Sequence, residues 1–228
     1  MARIVSIPPA AQVEMDVLIA AQAGDSFAVS DNMGITGRVL WRLMGAAFEP
    51  HRNLTTMNAV IASSTAMNAV AASSTAMNAV IASSTAMNAV IASATAMNAV
   101  AASSTAVTAI FNSSVARIAV YDSTVAWDAL RVNVTAQTHM LNIGLSHNAS
   151  WEGGAPWTHP PSVVSTTRVV VTQFRTAMAG QLAQSRNFAQ TVFFDTSLAT
   201  FQNIFLRMAG VQHRSATDFT NMRYIIMQ

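Results

Sequence analysis

Cysteine is absent from the 228 residues, and so is lysine. The first absence excludes disulfides, thiol catalysis and cysteine-ligated metals. The second leaves 12 arginines as the only basic side chains apart from histidine, against ten Asp and Glu, for a formal charge of +2. The arginines are scattered, without the basic stripe of a nucleic-acid footprint, so no nucleic-acid partner is expected. Charged residues make up only 10% of the chain, which is low for a soluble monomer and suggests that much of the surface is covered by neighbouring copies. No Asp, Glu, Lys, Arg or His occurs among the 64 residues between Arg52 and Arg117. Glycine and proline are missing from residues 51–143, which argues against a turn-rich organisation there. Long apolar runs are missing too. Hydroxyl residues recur about three times in every ten through this stretch, so no window offers the roughly 20 apolar residues of a membrane span. Met1-Ala2-Arg3-Ile4-Val5 lacks the apolar run of a signal peptide. The Asn-x-Ser/Thr matches at Asn53, Asn112, Asn133 and Asn148 are accordingly read as chance.

What occupies the uncharged stretch is a ten-residue repeat, Ser-Ser-Thr-Ala-Met-Asn-Ala-Val-Ile/Ala-Ala, between about Thr55 and Ser104. Met57, Met67, Met77, Met87 and Met97 mark its beat, each followed by Asn and then Ala-Val. The register persists in diverged form to about residue 140, through the alanine columns Ala106/Ala109, Ala116/Ala119 and Ala126/Ala129. The Met column there becomes Val107, Arg117 and Trp127, and the column after Val becomes Phe111 and Tyr121.

Ala and Met favour helix, and Ser, Thr and Asn tolerate it. Met77, Val80 and Ile81 fall on one helical face at i, i+3 and i+4. Three helical turns need about 10.8 residues, so each decad falls roughly 80° short and the apolar stripe winds left-handed. A single continuous helix cannot bury such a stripe, so the repeat is expected to wrap against several sister copies as a coiled-coil-like shaft. Ser-Ser-Thr is a possible cap that tightens or breaks the helix. A narrow β-solenoid of two decads per coil is the alternative, weakened by the poor strand propensity of Ala.

The chain divides into a non-repetitive head at 1–52, the shaft at 53–140, a Gly/Pro-rich hinge at 141–162 and a C-terminal tip at 163–228. In the head, Ala2–Ile7 reads as a strand, Gly34 and Gly37 as turns, and Val39–Phe48 as a helix weakened by Gly45. It is either a docking module or a cap that starts the oligomer. The tip carries Val- and Thr-rich runs such as Thr167–Phe174, with further apolar runs at Thr191–Phe194, Phe201–Met208 and Asn221–Met227. Their spacing suggests a small β-sandwich. The expected fold is therefore α+β, an elongated homo-oligomer with a helical shaft and a β-sandwich tip.

No catalytic residues are assigned. Glu14 and Asp16 form a lone Glu-x-Asp, weak as a glycosidase pair, and Glu152, Asp195 and Asp218 are the acids available near the C-terminal end. The histidines show no metal spacing. A coaxial trimer could gather His139, His147 or His159 around an ion on its axis, but an ordinary surface or interface role is the simpler reading, and no metal or cofactor is expected. The segment from Trp151 to His159 carries two Trp, Glu152 and an imidazole on a loop. Aromatic faces stack on sugar rings and polar groups hold their hydroxyls, so Trp151, Trp157 and His159 are the candidate ligand-binding residues. Packing of the loop against its own domain is the structural alternative. Arg117 and Asp128 are eleven residues apart and could pair between chains; Trp127 is expected in the core.

The Ser-Thr-Ala-Met-Asn-Ala-Val-Ile-Ala-Ser array resembles the repeats of tailed-bacteriophage fibre and other tail-associated proteins. The closing Arg223-Tyr224-Ile225-Ile226-Met227 is similar to the ends of such fibres. The resemblance implies a homotrimeric, non-enzymatic virion appendage. Residues 1–52 would dock on other tail or neck proteins, and the distal tip would meet a host surface glycan. A neck, baseplate or capsid-fibre component without receptor role, and a polysaccharide-degrading tip, are the other readings of the same resemblance.

Overall fold

In the computed structural model, the residue between decads ends one helix and begins the next. Ser73 has extended backbone, φ −105° and ψ 116°, between two helices. Its N–H donates to the Val70 carbonyl at 3.1 Å, and its own carbonyl accepts from Met77 N–H at 2.9 Å. Its hydroxyl accepts from Ala76 N–H at 3.2 Å. Ser63, Ser83, Ser93, Ser103, Ser113 and Ser123 repeat this geometry, each capping the helix that follows. A serine oxygen satisfies one of the N–H groups that a helix start leaves without a partner, which is why serine is a strong N-cap. Here it also closes the preceding helix, and the rod is cut every ten residues.

The structure describes residues 26–142, and beyond them 146–151, 168–176, 183–186, 192–196, 202–209, 212–215 and 220–227. The helices are α1 (Ser26–Met33), α2 (Thr36–Met44), a 3-10 segment (Gly45–His51), α3 (Met57–Ala62), α4 (Ser64–Ala72), α5 (Ser74–Ala82), α6 (Ser84–Ala92), α7 (Ala94–Ala102), α8 (Ser104–Asn112), α9 (Ser114–Asp122), α10 (Thr124–Val132) and α11 (Val134–Asn142). The chain bends by 104° between α5 and α6 and by 100° between α7 and α8. Bends of this size bring it almost full circle after three helices. Accordingly α3 packs on α6 and α6 on α9, α4 packs on α7 and α7 on α10, and α5 packs on α8. The repeat is a three-sided α-solenoid with three decads per coil. Each side is one nine-residue helix, about 13.5 Å long.

Neighbouring coils are also joined at their corners. The Ser103 hydroxyl donates to the Ala71 carbonyl at 2.6 Å, and the Ser123 hydroxyl to the Ile91 carbonyl at 2.8 Å, each 32 residues back. Both acceptors lie in the last turn of a helix, where carbonyls lack an intrahelical partner. Inside, Met57, Met67, Met77 and Met97 are fully buried, with Val60, Val70, Val80, Val90 and Val100. The alanine column from Ala66 to Ala136 is completely buried as well. Towards the C-terminal coils the interior is filled by Val107, Ile110, Phe111, Trp127 and Leu130.

This architecture corrects the expected coiled-coil-like shaft. The 80° shortfall per decad would accumulate only along a continuous helix. A cap at every tenth residue resets the helix direction, so each decad turns its Met and Val towards one common axis. Among the described residues, the Met and Val columns of the repeat are buried within one chain. The repeat does coil as a solenoid, but from helices and with three decads per coil, not from strands with two.

Residues 26–51 close the first coil. The 3-10 segment lies on α4, α2 on α5 and α1 on α6, opposite to their order in the chain. The crossing is tight at Gly37, whose N–H donates to the Leu54 carbonyl at 2.6 Å. A Cβ there would sit 2.6 Å from the His51 and Leu54 carbonyl oxygens and 2.7 Å from that of Arg52. Gly37 therefore lies inside α2 and not in a turn, because only a residue without a side chain fits that approach. Gly34, at φ +68°, does turn the chain between α1 and α2. The helix expected over Val39–Phe48 begins at Thr36 and stops at Met44, where Gly45 takes φ +61°. Asp31 ties this cap to the repeat: its Oδ1 accepts from Met57 N–H at 2.7 Å, at the start of α3, and from the Thr36 hydroxyl. The expected strand at Ala2–Ile7 lies outside the described residues.

The chain divides into two units, Met1–Ala136 and Gln137–Gln228. In the second, β1 (Ser146–Trp151), β7 (Thr220–Ile226), β2 (Arg168–Thr176) and β5 (Gln202–Ala209) lie side by side, in that order, in one antiparallel sheet. A second antiparallel sheet has the order β4 (Val192–Thr196), β3 (Ala183–Arg186), β6 (Gln212–Ser215). The expected β-sandwich is not seen among the described residues. The described strands belong to two separate antiparallel sheets. The well-packed part of the molecule is helical, and the fold class is corrected to an α-solenoid.

Candidate functional site

Each solenoid side shows its polar half to solvent. In α4 the exposed positions are Ser64, Thr65, Asn68 and Ala72, and α5 and α6 repeat the pattern at Ser74, Thr75, Asn78 and at Ser84, Thr85, Asn88. Packing of helices three apart stacks these columns. Asn68 of α4 and Asn98 of α7, helices that pack together, hold the same exposed position of the repeat, as do Asn58 of α3 and Asn88 of α6. The third face departs from the pattern: Asn78 of α5 faces Thr108 of α8.

Between α5 and α8 this third face holds an open groove of about 300 Å³. Ser74 and Asn78 form one wall; Thr105, Thr108 and Asn112 form the other; Ala109 lies at the floor. The hydroxyl of Thr108 donates to the Ser104 carbonyl at 2.7 Å. Two wall residues depart from the repeat, Thr108 where it places Asn and Asn112 where it places Ala. The equivalent positions between α4 and α7 include Asn98 and Ala102, and those between α6 and α9 include Val115, Ile118 and Asp122. The α5–α8 groove thus combines five hydrogen-bonding side chains with no formal charge. Reading the sequence alone passed over it, because its walls are thirty residues apart. The visible signal was the pair of departures at Thr108 and Asn112.

Charged residues gather at the later coils. Arg117 replaces Met in the core column, is buried, and donates from Nη1 to the Phe111 carbonyl. Asp128 pairs within its own helix with Arg131, Nε to Oδ1 at 2.7 Å. Trp127 is in the core, 4% exposed.

Trp151 ends β1, in register with Thr220 of β7. Trp157 and His159 lie outside the described residues, as do Glu14, Asp16, Glu152 and Asp218. His147 sits in β1 opposite Tyr224, and His139 lies on α11, where burial pulls its pKa below the ordinary 6.5. Among the described residues no three His, Asp or Glu come together as a metal site. No single described helix is long and apolar enough to cross a membrane. No protein-family model matches the chain, and no curated protein matches it.

Proposed function

We propose that this chain is a non-enzymatic structural part of a tailed-phage virion, a tail fibre that docks on the particle through residues 1–52 and meets the host surface through its C-terminal residues. The observation that carries this reading is the solenoid of near-copies. From Ser63 to Ala102 each decad repeats the same cap, the same Met-Val interior and the same uncharged face, and the decads from Ser103 to Val132 keep the serine cap. In such a chain each coil contacts only its neighbours, so length is set by copy number. That suits a spacer between two working ends. The resemblance of the decad to phage-tail repeats supports the same reading. Contacts at the host end would gain from multivalency, through which weak tethered sites add to avidity.

The experiment is genetic. A phage encoding the chain without residues 1–52 should produce particles that lack the protein by immunoblot, while the same truncated chain, purified, keeps the helical ellipticity of the repeat, so that the loss reports docking and not misfolding of the uncapped coil. Removal of residues 163–228 should leave it on the particle and reduce adsorption to host cells. Full incorporation of the first truncation, or absence of the protein from purified wild-type particles, refutes the proposal. Normal adsorption by the second variant favours the structural reading without receptor contact.

A further inference from the structure

We propose that the groove between α5 and α8 is a binding site for a neutral saccharide. Its volume of about 300 Å³ is at the lower end of small-ligand sites, which suits a ligand of one or two sugar rings. Its lining is chemically matched to a polyol. Ser74 and Thr105 offer hydroxyls that both donate and accept, Thr108 offers an acceptor oxygen because its O–H is given to the Ser104 carbonyl, and Asn78 and Asn112 offer carboxamides that donate and accept through separate atoms. A sugar presents that mixture on adjacent carbons. An ionised ligand would find no counter-charge, since residues 53–116 hold none, and would lose hydration without repayment. Ala109 gives the floor a small apolar surface against which ring C–H groups can rest.

Three further features favour a site over an incidental dip in the surface. All five polar residues stand on helices, and serine caps fix the start of both: Ser73 for α5 and Ser103 for α8. A site on such elements is preorganised. The Thr108 hydroxyl is oriented by its bond to Ser104. Finally, of the five positions at which α8 departs from the repeat, Val107, Ile110 and Phe111 are buried, and the two that reach the surface, Thr108 and Asn112, fall on the same wall. Neither is needed for the fold, since Asn68 and Ala72 fill the same columns in α4. The proposal concerns the solenoid alone and stands apart from the virion role.

The test is saturation-transfer NMR on the full chain with glucose, galactose, N-acetylglucosamine and rhamnose as neutral probes and glucuronate as the charged one. The expected result is transfer to at least one neutral sugar and none to glucuronate. The double variant Thr108→Asn, Asn112→Ala restores the repeat's own residues and should fold normally, with unchanged circular dichroism. It should weaken the Kd of the responding sugar about fivefold or more, the equivalent of about one hydrogen bond. Three results overturn the proposal: no transfer to any neutral sugar, equal transfer in the double variant, or loss of transfer in Trp151→Ala, Trp157→Ala with the groove variant unaffected, which places binding at the loop.

Discussion

Two serines in the same column allow the joint between coils to be weighed. Ser93 caps α7 through Ala96 N–H at 3.2 Å. Ser103 caps α8 through Ala106 N–H, also at 3.2 Å, and in addition donates to the Ala71 carbonyl one coil back at 2.6 Å. Removing an N-cap oxygen costs about 1 kcal/mol. Ser93→Ala should therefore lose roughly that much. Ser103→Ala loses the same cap and also strands a helix-end carbonyl, which adds at least ~1 kcal/mol. The expected total is about 2 kcal/mol or more. For a unit the size of Met1–Ala136, ~1 kcal/mol corresponds to about 3–5 °C in Tm. Ser103→Ala should melt about 6–10 °C below wild type, twice the shift of Ser93→Ala. The assay is urea and thermal unfolding of the full chain, followed by ellipticity at 222 nm. Equal losses in the two variants would refute the idea that corner hydroxyls join the coils.

Three other outcomes follow from particular residues. Gly37→Ala should destabilise by about 2 kcal/mol or more, because its Cβ would meet three backbone carbonyls; Gly34→Ala, strained in φ but with its nearest neighbour atom at 3.8 Å, should lose about 1 kcal/mol. A more stable Gly37→Ala by urea melt would show that the cap does not cross there. Duplicating residues 64–93 inserts one whole coil, so ellipticity at 222 nm should rise and the urea midpoint should not fall; a lower midpoint would contradict the stacking of helices three apart. Burial lowers the pKa of His139, so the unfolded chain binds the extra proton first and stability should decline as pH falls below 6.5 towards the folded value. His139→Asn should flatten that slope, and an unchanged slope would assign the pH dependence elsewhere.

The local chemistry of the decad was legible in the sequence. Ala and Met specified helix, and Ser-Ser-Thr was recognisable as a cap capable of breaking it. The global consequence was not, because the apolar stripe was followed along one uninterrupted helix. Once Ser73 and its equivalents cut the chain, position i meets position i+30, a relation that no local window contains. The cap was harder to read for another reason. Residues 26–51 lie on α4–α6 in reverse order, and the tight contact at Gly37 depends on carbonyls of His51, Arg52 and Leu54. The candidate groove follows the same logic: Ser74 and Asn78 are ordinary decad residues, and only stacking sets them opposite Thr105, Thr108 and Asn112. For the Trp151, Trp157 and His159 candidates, the structure places only Trp151, at the end of β1.

The most direct measurement is the distance from Asn68 to Asn98. The chain has no cysteine, so Asn68→Cys, Asn98→Cys carries two spin labels and no others, and dilution with unlabelled chain removes coupling between molecules. Both sites are exposed and lie in the same column of helices that pack together, α4 and α7. The solenoid places their backbones about 8–10 Å apart, which gives strong dipolar broadening. A continuous helical rod would separate them by about 45 Å, and a sharp, unbroadened spectrum would contradict the single-chain solenoid.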